Sequence, residues 1–302
     1  MEGVLSEGKD LLGEIGLYNF QGGGKMLRPL IYLLSLESLK TPISDSHVEN
    51  SVIYELIHMA SLLHDDIIDL SSTRRNRKAA HLVYGVPETV LAGDYLASKA
   101  GMLSVRTGSL EFMSNLQGHI LELSLGELKE LEERFNSDLT EEEYFDIIRK
   151  KTGVLFTAAA NGAAILAGAD TKSTESLCNF AINYGLSFQI IDDILDFVAD
   201  PSVLGKPVLQ DQLEGRITLP FILAKKNLNG DICERLGDLG KKTKKDPEDL
   251  DVIKDLVIRG KGVDLAREIA GKYLTLALDS LLNLPNSQKL SQMAKDSLHR
   301  TS

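Results

Sequence analysis

Three aspartates, Asp65, Asp66 and Asp69, lie close together within an apolar stretch of the chain. If this stretch is helical, Asp65 and Asp69 lie one turn apart on the same face, with Asp66 beside them. Like charges at this spacing repel each other, so a cluster that only stabilised the helix would be unfavourable. Hard divalent cations such as Mg²⁺ prefer oxygen ligands and often bridge to substrate phosphates. The cluster therefore predicts a metal site, although a solvated acidic patch would also fit this motif alone.

A second cluster, Asp192, Asp193 and Asp196, repeats the same spacing and again has apolar neighbours. A solvated acidic patch does not explain why the pattern occurs twice. Two such motifs on separate helices are expected to face each other across a cavity and to hold several metal ions between them. We interpret the two clusters as a functional pair and not as an internal sequence repeat.

Basic residues lie close to the first aspartate motif in the sequence. Lys25 and Arg28 follow the glycine turn at residues 22–24, and Arg74 and Arg75 follow the motif itself. Backbone N–H groups at a helix start bind anions, and arginine binds phosphate in a bidentate manner. Both segments therefore suit a diphosphate. Each also has a simpler interpretation, as an ordinary turn between helices or as a solvated basic loop.

Other single residues could contribute to the same chemistry. His58 lies seven residues before Asp65 on the same predicted helix face, where it could donate a hydrogen bond to a substrate oxygen. A buried structural histidine is the alternative interpretation. Lys151, Lys206 and Arg216 are unremarkable alone, but together they supply positive charge that a phosphate would need in an acidic chain.

Composition excludes several classes of protein. The 302-residue chain has a net charge of −11, which argues against a nucleic-acid-binding protein with a basic surface. Its two cysteines provide neither a disulfide framework nor a CxxC metal site. The first residues do not resemble a signal peptide, and the longest apolar stretch, 154–169, is too short for a transmembrane segment. We therefore expect a cytoplasmic protein.

Apolar residues recur at helical spacing throughout, and no segment shows the alternation of a strand, so the sequence predicts an all-α fold. We expect one domain, residues 1–302, as a single large helical bundle around a deep central cavity. Specific signals are N-caps at Ser44 and Ser173, a capping box from Thr140 to Glu143, and a break or kink at 151–153. Predicted helices cover about 1–21, 29–40, 44–69, 87 onward, 109–133, 140–151, 173 onward, 219 onward, 249–260, 262–283 and 287–298.

Several motifs occur together in the order expected for a known family. The chain resembles trans-polyprenyl diphosphate synthases, the medium- and long-chain isoprenyl diphosphate synthases, over roughly residues 22–221. Besides the two aspartate motifs, the matching segments are Gly-Gly-Lys-x-x-Arg-Pro at 23–29, Arg74-Arg75, Lys151-Thr152-Gly153, Phe188-Gln189 and Gly205-Lys206-Pro207. The resemblance implies the isoprenoid synthase type of fold, usually as a homodimer.

The resemblance also implies a reaction. An allylic diphosphate, such as farnesyl or geranylgeranyl diphosphate, is elongated by isopentenyl diphosphate, and pyrophosphate is released and serves as the base. Metal ions and cations would stabilise the charge on the departing diphosphate. About three Mg²⁺ ions are expected per active site. The implied metal ligands are Asp65, Asp66, Asp69, Asp192, Asp193 and Asp196.

The same resemblance assigns the substrate-binding residues. The implied ligands of isopentenyl diphosphate are Lys25, Arg28, His58 and Arg75. The implied ligands of the allylic substrate are Arg74, Lys151, Thr152, Gln189 and Lys206, with Arg216 at a position where the family usually has lysine. The catalytic residues are expected to be Asp65, Asp66, Asp69, Asp192, Asp193 and Lys151. Met26 replaces a basic residue that is common after Gly-Gly-Lys, and the first motif lacks the two-residue insertion of many short-chain members.

The residues before the first motif are predicted to set the product length. The growing chain should pass along this helix towards its N-terminus, past Ser61, Ala60, Ile57 and Tyr54 at successive i−3 and i−4 steps. Ala60 and Ser61 are small and would leave the path open, whereas Tyr54 could form a deeper floor. We therefore expect an all-trans product of about C30 to C40, such as octaprenyl diphosphate.

Three alternatives share part of this pattern. A geranylgeranyl diphosphate synthase would have the same site and a shorter product. A non-catalytic subunit of a heteromeric synthase would usually have lost one aspartate motif. A terpene cyclase shares the helical fold, but its second metal site usually mixes Asn, Ser or Thr with Glu, which Asp192-Asp193-x-x-Asp196 does not fit.

Overall fold

The computed structural model describes residues 3, 10–75, 77–198 and 209–298, and almost all of this part is helical. The prediction of an all-α fold is confirmed. The helices are α1 Leu11–Gln21, α2 Leu27–Ser38, α3 Asp45–Ile68, α4 Ala80–Tyr84, α5 Val86–Arg106, α6 Leu110–Glu132, α7 Glu141–Ile148, α8 Val154–Ala167, α9 Thr171–Val198, α10 Gln210–Leu213, α11 Leu219–Asn227, α12 Gly230–Lys241, α13 Pro247–Arg259, α14 Gly262–Ser280 and α15 Gln288–Leu298.

Side-chain caps define where several helices begin, including the two helices that carry the aspartate motifs. Ser44 caps α3, as predicted. At α7 the Thr140 hydroxyl accepts from the Glu143 N–H at 3.2 Å, and Glu143 accepts from the Thr140 N–H at 2.9 Å. The prediction that Ser173 caps the next long helix is wrong. Helix α9 begins at Thr171, and Asp170 is the cap, because its carboxylate accepts from the Ser173 N–H at 2.8 Å.

Two short irregular elements interrupt the helices. The basic segment 71–78, expected as a loop, contains a small antiparallel hairpin of β1 Thr73–Arg74 and β2 Arg77–Lys78. The break predicted at 151–153 is confirmed as a π-helical turn, Arg149–Gly153, between α7 and α8. Such turns insert one extra residue into a helix and are frequent at functional sites.

Contacts within the chain group it into two compact units. The first unit comprises residues 1–118, 158–175 and 284–287, and the second comprises 119–157, 176–283 and 288–302. The prediction of a single domain stays a prediction. No helix among the described residues has the length and apolar character needed to cross a membrane.

Each unit has its own buried core. In the first unit, α3 packs along α5, and fully buried side chains include Ile15, Tyr32, Leu36, Ile53 and Tyr54. In the second unit, α11 packs along α14, and α9 contributes Leu186, Ile190, Ile194 and Phe197 to the core. The helices with the aspartate motifs, α3 and α9, are thus each held in their unit by a buried apolar face.

Candidate active site

The first aspartate motif lies at the C-terminal end of α3 in the first unit. Asp69 is the C-cap, and its N–H donates to the Asp65 carbonyl at 2.8 Å. Asp65 and Asp69 are partly exposed, whereas Asp66 is only 2% exposed. The Arg74 Nε donates to Asp66 Oδ1 at 2.8 Å, and the Arg74 Nη2 contacts the same oxygen. Asp66 therefore holds the hairpin against the helix, and Asp65 and Asp69 are the more accessible carboxylates.

Arg75 lies at the tip of the hairpin and packs against the glycine turn before α2. Its φ of +51° is in the left-handed region. A Cβ atom at Gly24 would lie 3.1 Å from both terminal guanidinium nitrogens of Arg75, so glycine lets the backbone approach the arginine closely. The two basic segments singled out in the sequence thus meet in the structure.

A small basic cavity lies beside this contact. It is partly open to solvent. The lining residues are Tyr18, Asn19, Gly22, Asp66, Arg74, Arg75, Arg77, Lys78 and Ala80. Four of these nine residues are cationic and one is anionic, so this cavity favours an anion.

His58 and Glu55 lie one turn apart on α3 and interact electrostatically with the same arginines. Burial and the charges of Arg28 and Arg75 hold the pKa of His58 well below its usual range. His58 is therefore neutral near pH 7 and can donate one hydrogen bond. Glu55, which the sequence analysis missed, is 3% exposed, and burial raises its pKa against the opposing effect of Arg28 and Arg75. The sequence does contain a signal for Glu55, because a glutamate inside an apolar stretch is unusual.

The residues predicted to set product length become more deeply buried along α3 away from the motif. Ser61 is partly exposed, Ala60 is 5% exposed, Ile57 is 4% exposed and Tyr54 is fully buried. The Tyr54 ring lies 5.5 Å from the Tyr32 ring. A Cβ atom at Gly162 would collide with the Tyr54 hydroxyl, so this glycine makes room for it.

The second aspartate motif lies on α9 in the second unit, and its three carboxylates differ in environment. Asp192 is exposed, whereas Asp193 is 3% exposed and Asp196 is 1% exposed. The Tyr144 hydroxyl donates to Asp193 Oδ2 at 2.5 Å, and Gln189 Nε2 donates to Asp193 Oδ1 at 2.8 Å. Burial, with the nearby carboxylates of Asp211 and Asp192, raises the pKa of Asp193 well above its usual value.

Asp196 ties α9 to the short helix α10. Its two carboxylate oxygens accept from the backbone N–H groups of Gln210 and Asp211, each at 3.1 Å. Asp211 in turn accepts from Arg216, at 3.1 Å from Nε and 2.9 Å from Nη2. Arg216 also pairs with Glu214. In this arrangement both Asp196 and Arg216 stabilise the backbone around α10.

The π-helical turn places Lys151 and Thr152 against other helices of the second unit. Lys151 Nζ lies 2.8 Å from Glu127 Oε2 and 2.5 Å from Glu130 Oε2, both on α6. The Thr152 hydroxyl donates to Gln189 Oε1 at 2.7 Å. Glu127, Glu130 and Tyr144 were not identified from the sequence, because no local spacing marks contacts between helices so distant along the chain.

The carboxylates of the two aspartate motifs suit a metal ion whose remaining ligands are oxygen atoms of the substrate. Among residues 10–75, 77–198 and 209–298, no group of three or more Asp, Glu, His or Cys side chains is placed to hold a metal ion without further ligands. Asp65 and Asp69 nevertheless form an oxygen-only pair on one helix face. Mg²⁺ typically keeps several waters and binds one or two carboxylates together with substrate phosphates. Both motifs provide such donors. Lys206 lies outside the described residues.

Comparison with known proteins agrees with this geometry. The polyprenyl synthetase family matches residues 9–257. Octaprenyl diphosphate synthase of Haemophilus influenzae is 34% identical over 94% of this chain and 86% of its own length.

Solved structures give the same result. A polyprenyl synthase from Caulobacter crescentus, complexed with calcium and isoprenyl diphosphate, superposes with a TM-score of 0.94 at 29% identity, covering 100% of this chain and 92% of that one. Heptaprenyl diphosphate synthase from Staphylococcus aureus superposes with a TM-score of 0.94 at 28% identity, covering 100% and 95%. This chain belongs to the polyprenyl synthetase family.

Proposed function

We propose that this protein is a Mg²⁺-dependent trans-prenyltransferase that condenses isopentenyl diphosphate with an allylic diphosphate. In this reaction the bond between C1 and the diphosphate oxygen of the allylic substrate breaks. A new carbon–carbon bond forms to the double bond of isopentenyl diphosphate, and one proton leaves. The observation that supports this most directly is the pair of accessible carboxylates, Asp65 and Asp69, beside the packed arginine and glycine segments.

The residues of the first unit suit the binding of isopentenyl diphosphate. Lys25, Arg28 and Arg75 supply positive charge, and the neutral His58 supplies one donor. We propose these four as its ligands. Arg74, Lys151, Thr152, Gln189, Lys206 and Arg216 are the proposed ligands of the allylic substrate. Because Arg216 pairs with Asp211 and Glu214, its contribution is proposed to be mainly to the shape of this segment.

The aspartates are the proposed metal ligands. A bound divalent ion neutralises the diphosphate and stabilises the charge that grows on it as the allylic bond breaks. Calcium in the Caulobacter structure supports divalent metal use. Mg²⁺ as the ion, and about three ions per site, are our proposal. Because Asp192 is exposed while Asp193 and Asp196 already accept hydrogen bonds, we place Asp192 first among the second-motif ligands.

We propose a product of about C30 to C40. The small side chains of Ala60 and Ser61 leave room beyond the first motif, and the fully buried Tyr54 is the proposed floor. The names of the octaprenyl and heptaprenyl relatives favour this range over geranylgeranyl diphosphate. Ala60→Phe should shorten the product by at least one isoprene unit, because the ring would fill the path. An unchanged product length would contradict this assignment of the path.

A homodimer and a cytoplasmic location complete the proposal. Helix α5 exposes several large apolar side chains, which supports association with a second copy. These side chains are Val86, Val90, Leu91, Met102 and Val105. Cys178 and Cys233 are both free thiols, as expected in a reducing compartment. Light scattering coupled to gel filtration would measure the mass in solution, and a monomer would contradict the dimer.

The central experiment is product analysis. Purified protein is incubated with MgCl₂, farnesyl diphosphate and labelled isopentenyl diphosphate, and the products are sized by chromatography after dephosphorylation. We expect a ladder that ends at one length, and no product when EDTA replaces MgCl₂. A ladder that ends at C20 would indicate a geranylgeranyl diphosphate synthase. No incorporation by folded protein would indicate a non-catalytic subunit, and an unlabelled cyclic hydrocarbon would indicate a cyclase.

A further inference from the structure

Two glutamates of α6 surround the Lys151 ammonium group in the second unit. Lys151 Nζ lies 2.8 Å from Glu127 Oε2 and 2.5 Å from Glu130 Oε2. The three side chains are 22%, 20% and 16% exposed, respectively. Ion pairs shielded to this degree are screened less by solvent and salt than surface pairs. One carboxylate is enough to neutralise the lysine, so charge neutralisation does not explain the second one.

The backbone is shaped for this contact. A Cβ atom at Gly126 would lie 2.8 Å from the Lys151 backbone nitrogen, so glycine lets α6 touch the π-helical turn. Glu127 and Glu130 are three residues apart and therefore lie on one helix face. The turn also separates consecutive lysines, because Lys150 pairs at 3.0 Å with Asp146.

Two carboxylates constrain an ammonium group more than one does. An ammonium has three N–H donors in a fixed tetrahedral arrangement. Once two of these directions are fixed by Glu127 and Glu130, the orientation of the whole group is fixed. Lysine normally has a flexible four-carbon stem, so without this clamp its position would be poorly defined. A misplacement of about 1 Å can reduce turnover by about 100-fold.

We infer that Glu127 and Glu130 are positioning residues, which hold Lys151 in the orientation required to bind the departing diphosphate of the allylic substrate. This inference rests on the proposed function, because Lys151 is a proposed ligand of that substrate. The two glutamates act through Lys151 and need no contact with substrate.

A double-mutant cycle tests this inference. Glu130→Gln keeps the shape and an acceptor oxygen but removes the charge, and Lys151→Met removes the group that is positioned. We expect Glu130→Gln and Glu127→Gln each to lower kcat by about 10-fold or more in the wild-type background. In the Lys151→Met background the same changes should have an effect below about twofold, because the lysine is already absent. The KM for isopentenyl diphosphate should stay within about threefold, since its proposed ligands are other residues.

A neighbouring ion pair provides the matched control. Asp146 pairs with Lys129 on α6 at 2.8 Å and with Lys150 on the π-helical turn at 3.0 Å, so it joins the same two elements. Asp146→Asn should leave kcat within about twofold of wild type if only Lys151 needs positioning. Thermal unfolding of every variant would confirm that each is folded under assay conditions.

The outcomes separate this inference from the proposed function. Elongation by the wild type with a strongly non-additive cycle supports both. Elongation by the wild type with equal losses in the two backgrounds, or with equal losses in Asp146→Asn, overturns the positioning role alone. If folded wild-type protein does not elongate any allylic diphosphate, the proposed function fails and the positioning role fails with it.

Discussion

The Thr152 hydroxyl donates to Gln189 Oε1 at 2.7 Å and so links the π-helical turn to the helix of the second aspartate motif. Gln189 then donates through its Nε2 to Asp193 Oδ1 at 2.8 Å. Two of the proposed allylic-substrate ligands, Thr152 and Gln189, therefore belong to one hydrogen-bonded chain with the proposed metal ligand Asp193 in the second unit. This partly buried network restrains its members, and removing one member takes a hydrogen-bond partner from its neighbour.

Thr152→Val tests this link. Valine has nearly the same shape, but Gln189 Oε1 loses its donor, which costs about 1–3 kcal/mol where the group is buried. We expect the free energy of unfolding to fall by about 1 kcal/mol and kcat to fall by about 10-fold. Thr157→Val is the control, because the Thr157 hydroxyl donates to the Gly153 carbonyl within the same helical stretch. Equal effects of the two changes on kcat would show that the link to Gln189 is unimportant.

Tyr144→Phe should weaken the use of metal without unfolding the protein. The Tyr144 hydroxyl donates to Asp193 Oδ2 at 2.5 Å, and partners of this kind orient metal ligands. Their loss typically lowers metal affinity or activity by about 10- to 100-fold. We expect the Mg²⁺ concentration for half-maximal activity to rise by about 10-fold, measured by titrating MgCl₂ at saturating substrates. Tyr273→Phe, which changes a partly buried tyrosine of the same unit, should leave the titration unchanged.

Gly24→Ala should affect one substrate selectively. The new methyl group would lie 3.1 Å from the Arg75 guanidinium nitrogens, so the arginine must move. We expect the KM for isopentenyl diphosphate to rise by about 10-fold, equivalent to about 1.4 kcal/mol, while the KM for the allylic substrate stays within about threefold.

Gly101→Ala is the matched control for this change, because a Cβ atom at Gly101 meets nothing within 4 Å. Steady-state kinetics with each substrate varied in turn would measure both constants. A rise in the allylic KM alone would mean that Arg75 binds the other substrate.

Local sequence signals predicted the helices well, because apolar spacing and caps act within a few residues. Ser44 and Thr140 cap their helices as expected. The Ser173 cap was wrong because Asp170, three residues earlier, also has a capping side chain, and local sequence alone did not rank the two. The hairpin at 73–78 was missed because strands of two residues are too short to show alternation.

The candidate site was predicted in its motifs but not in its supporting contacts. The spacing of Asp192, Asp193 and Asp196 identified a cluster, but it gave all three the same role. The structure instead distinguishes them by burial, because Tyr144 and Gln189 bind Asp193 and the backbone of α10 binds Asp196. The Gln189 contact is local, four residues apart on one helix, but the Tyr144 and α10 contacts join residues 49 and 14 positions apart and depend on tertiary packing, which the local sequence does not encode.

Lys245 should make the stability of the protein depend on pH in a mildly alkaline range. It lies partly buried in the turn after α12, where its ammonium group donates to the Lys242 carbonyl at 2.7 Å and lies 5.0 Å from the Phe135 ring centroid. Burial lowers the pKa of Lys245 to about 8. In the unfolded chain the pKa of lysine is about 10.4.

The sign of the pH effect follows from proton binding. Between about pH 8 and about pH 10.4 the unfolded chain binds more protons at this residue than the folded protein does, so raising the pH favours folding through Lys245. The stabilisation is fully present above the unfolded pKa and is lost as the pH falls through about 8. Allowing for partial exposure, we expect this contribution to be of the order of 1 kcal/mol.

Urea unfolding of wild type and Lys245→Met at pH 7.5, 8.5 and 9.5 would measure this effect. Methionine keeps the apolar stem of the side chain and has no proton to lose. Because other groups titrate in both proteins, the quantity that matters is the difference between their free energies of unfolding. This difference should change in favour of wild type as the pH rises. Parallel pH curves for wild type and Lys245→Met would mean that burial does not lower the pKa of Lys245.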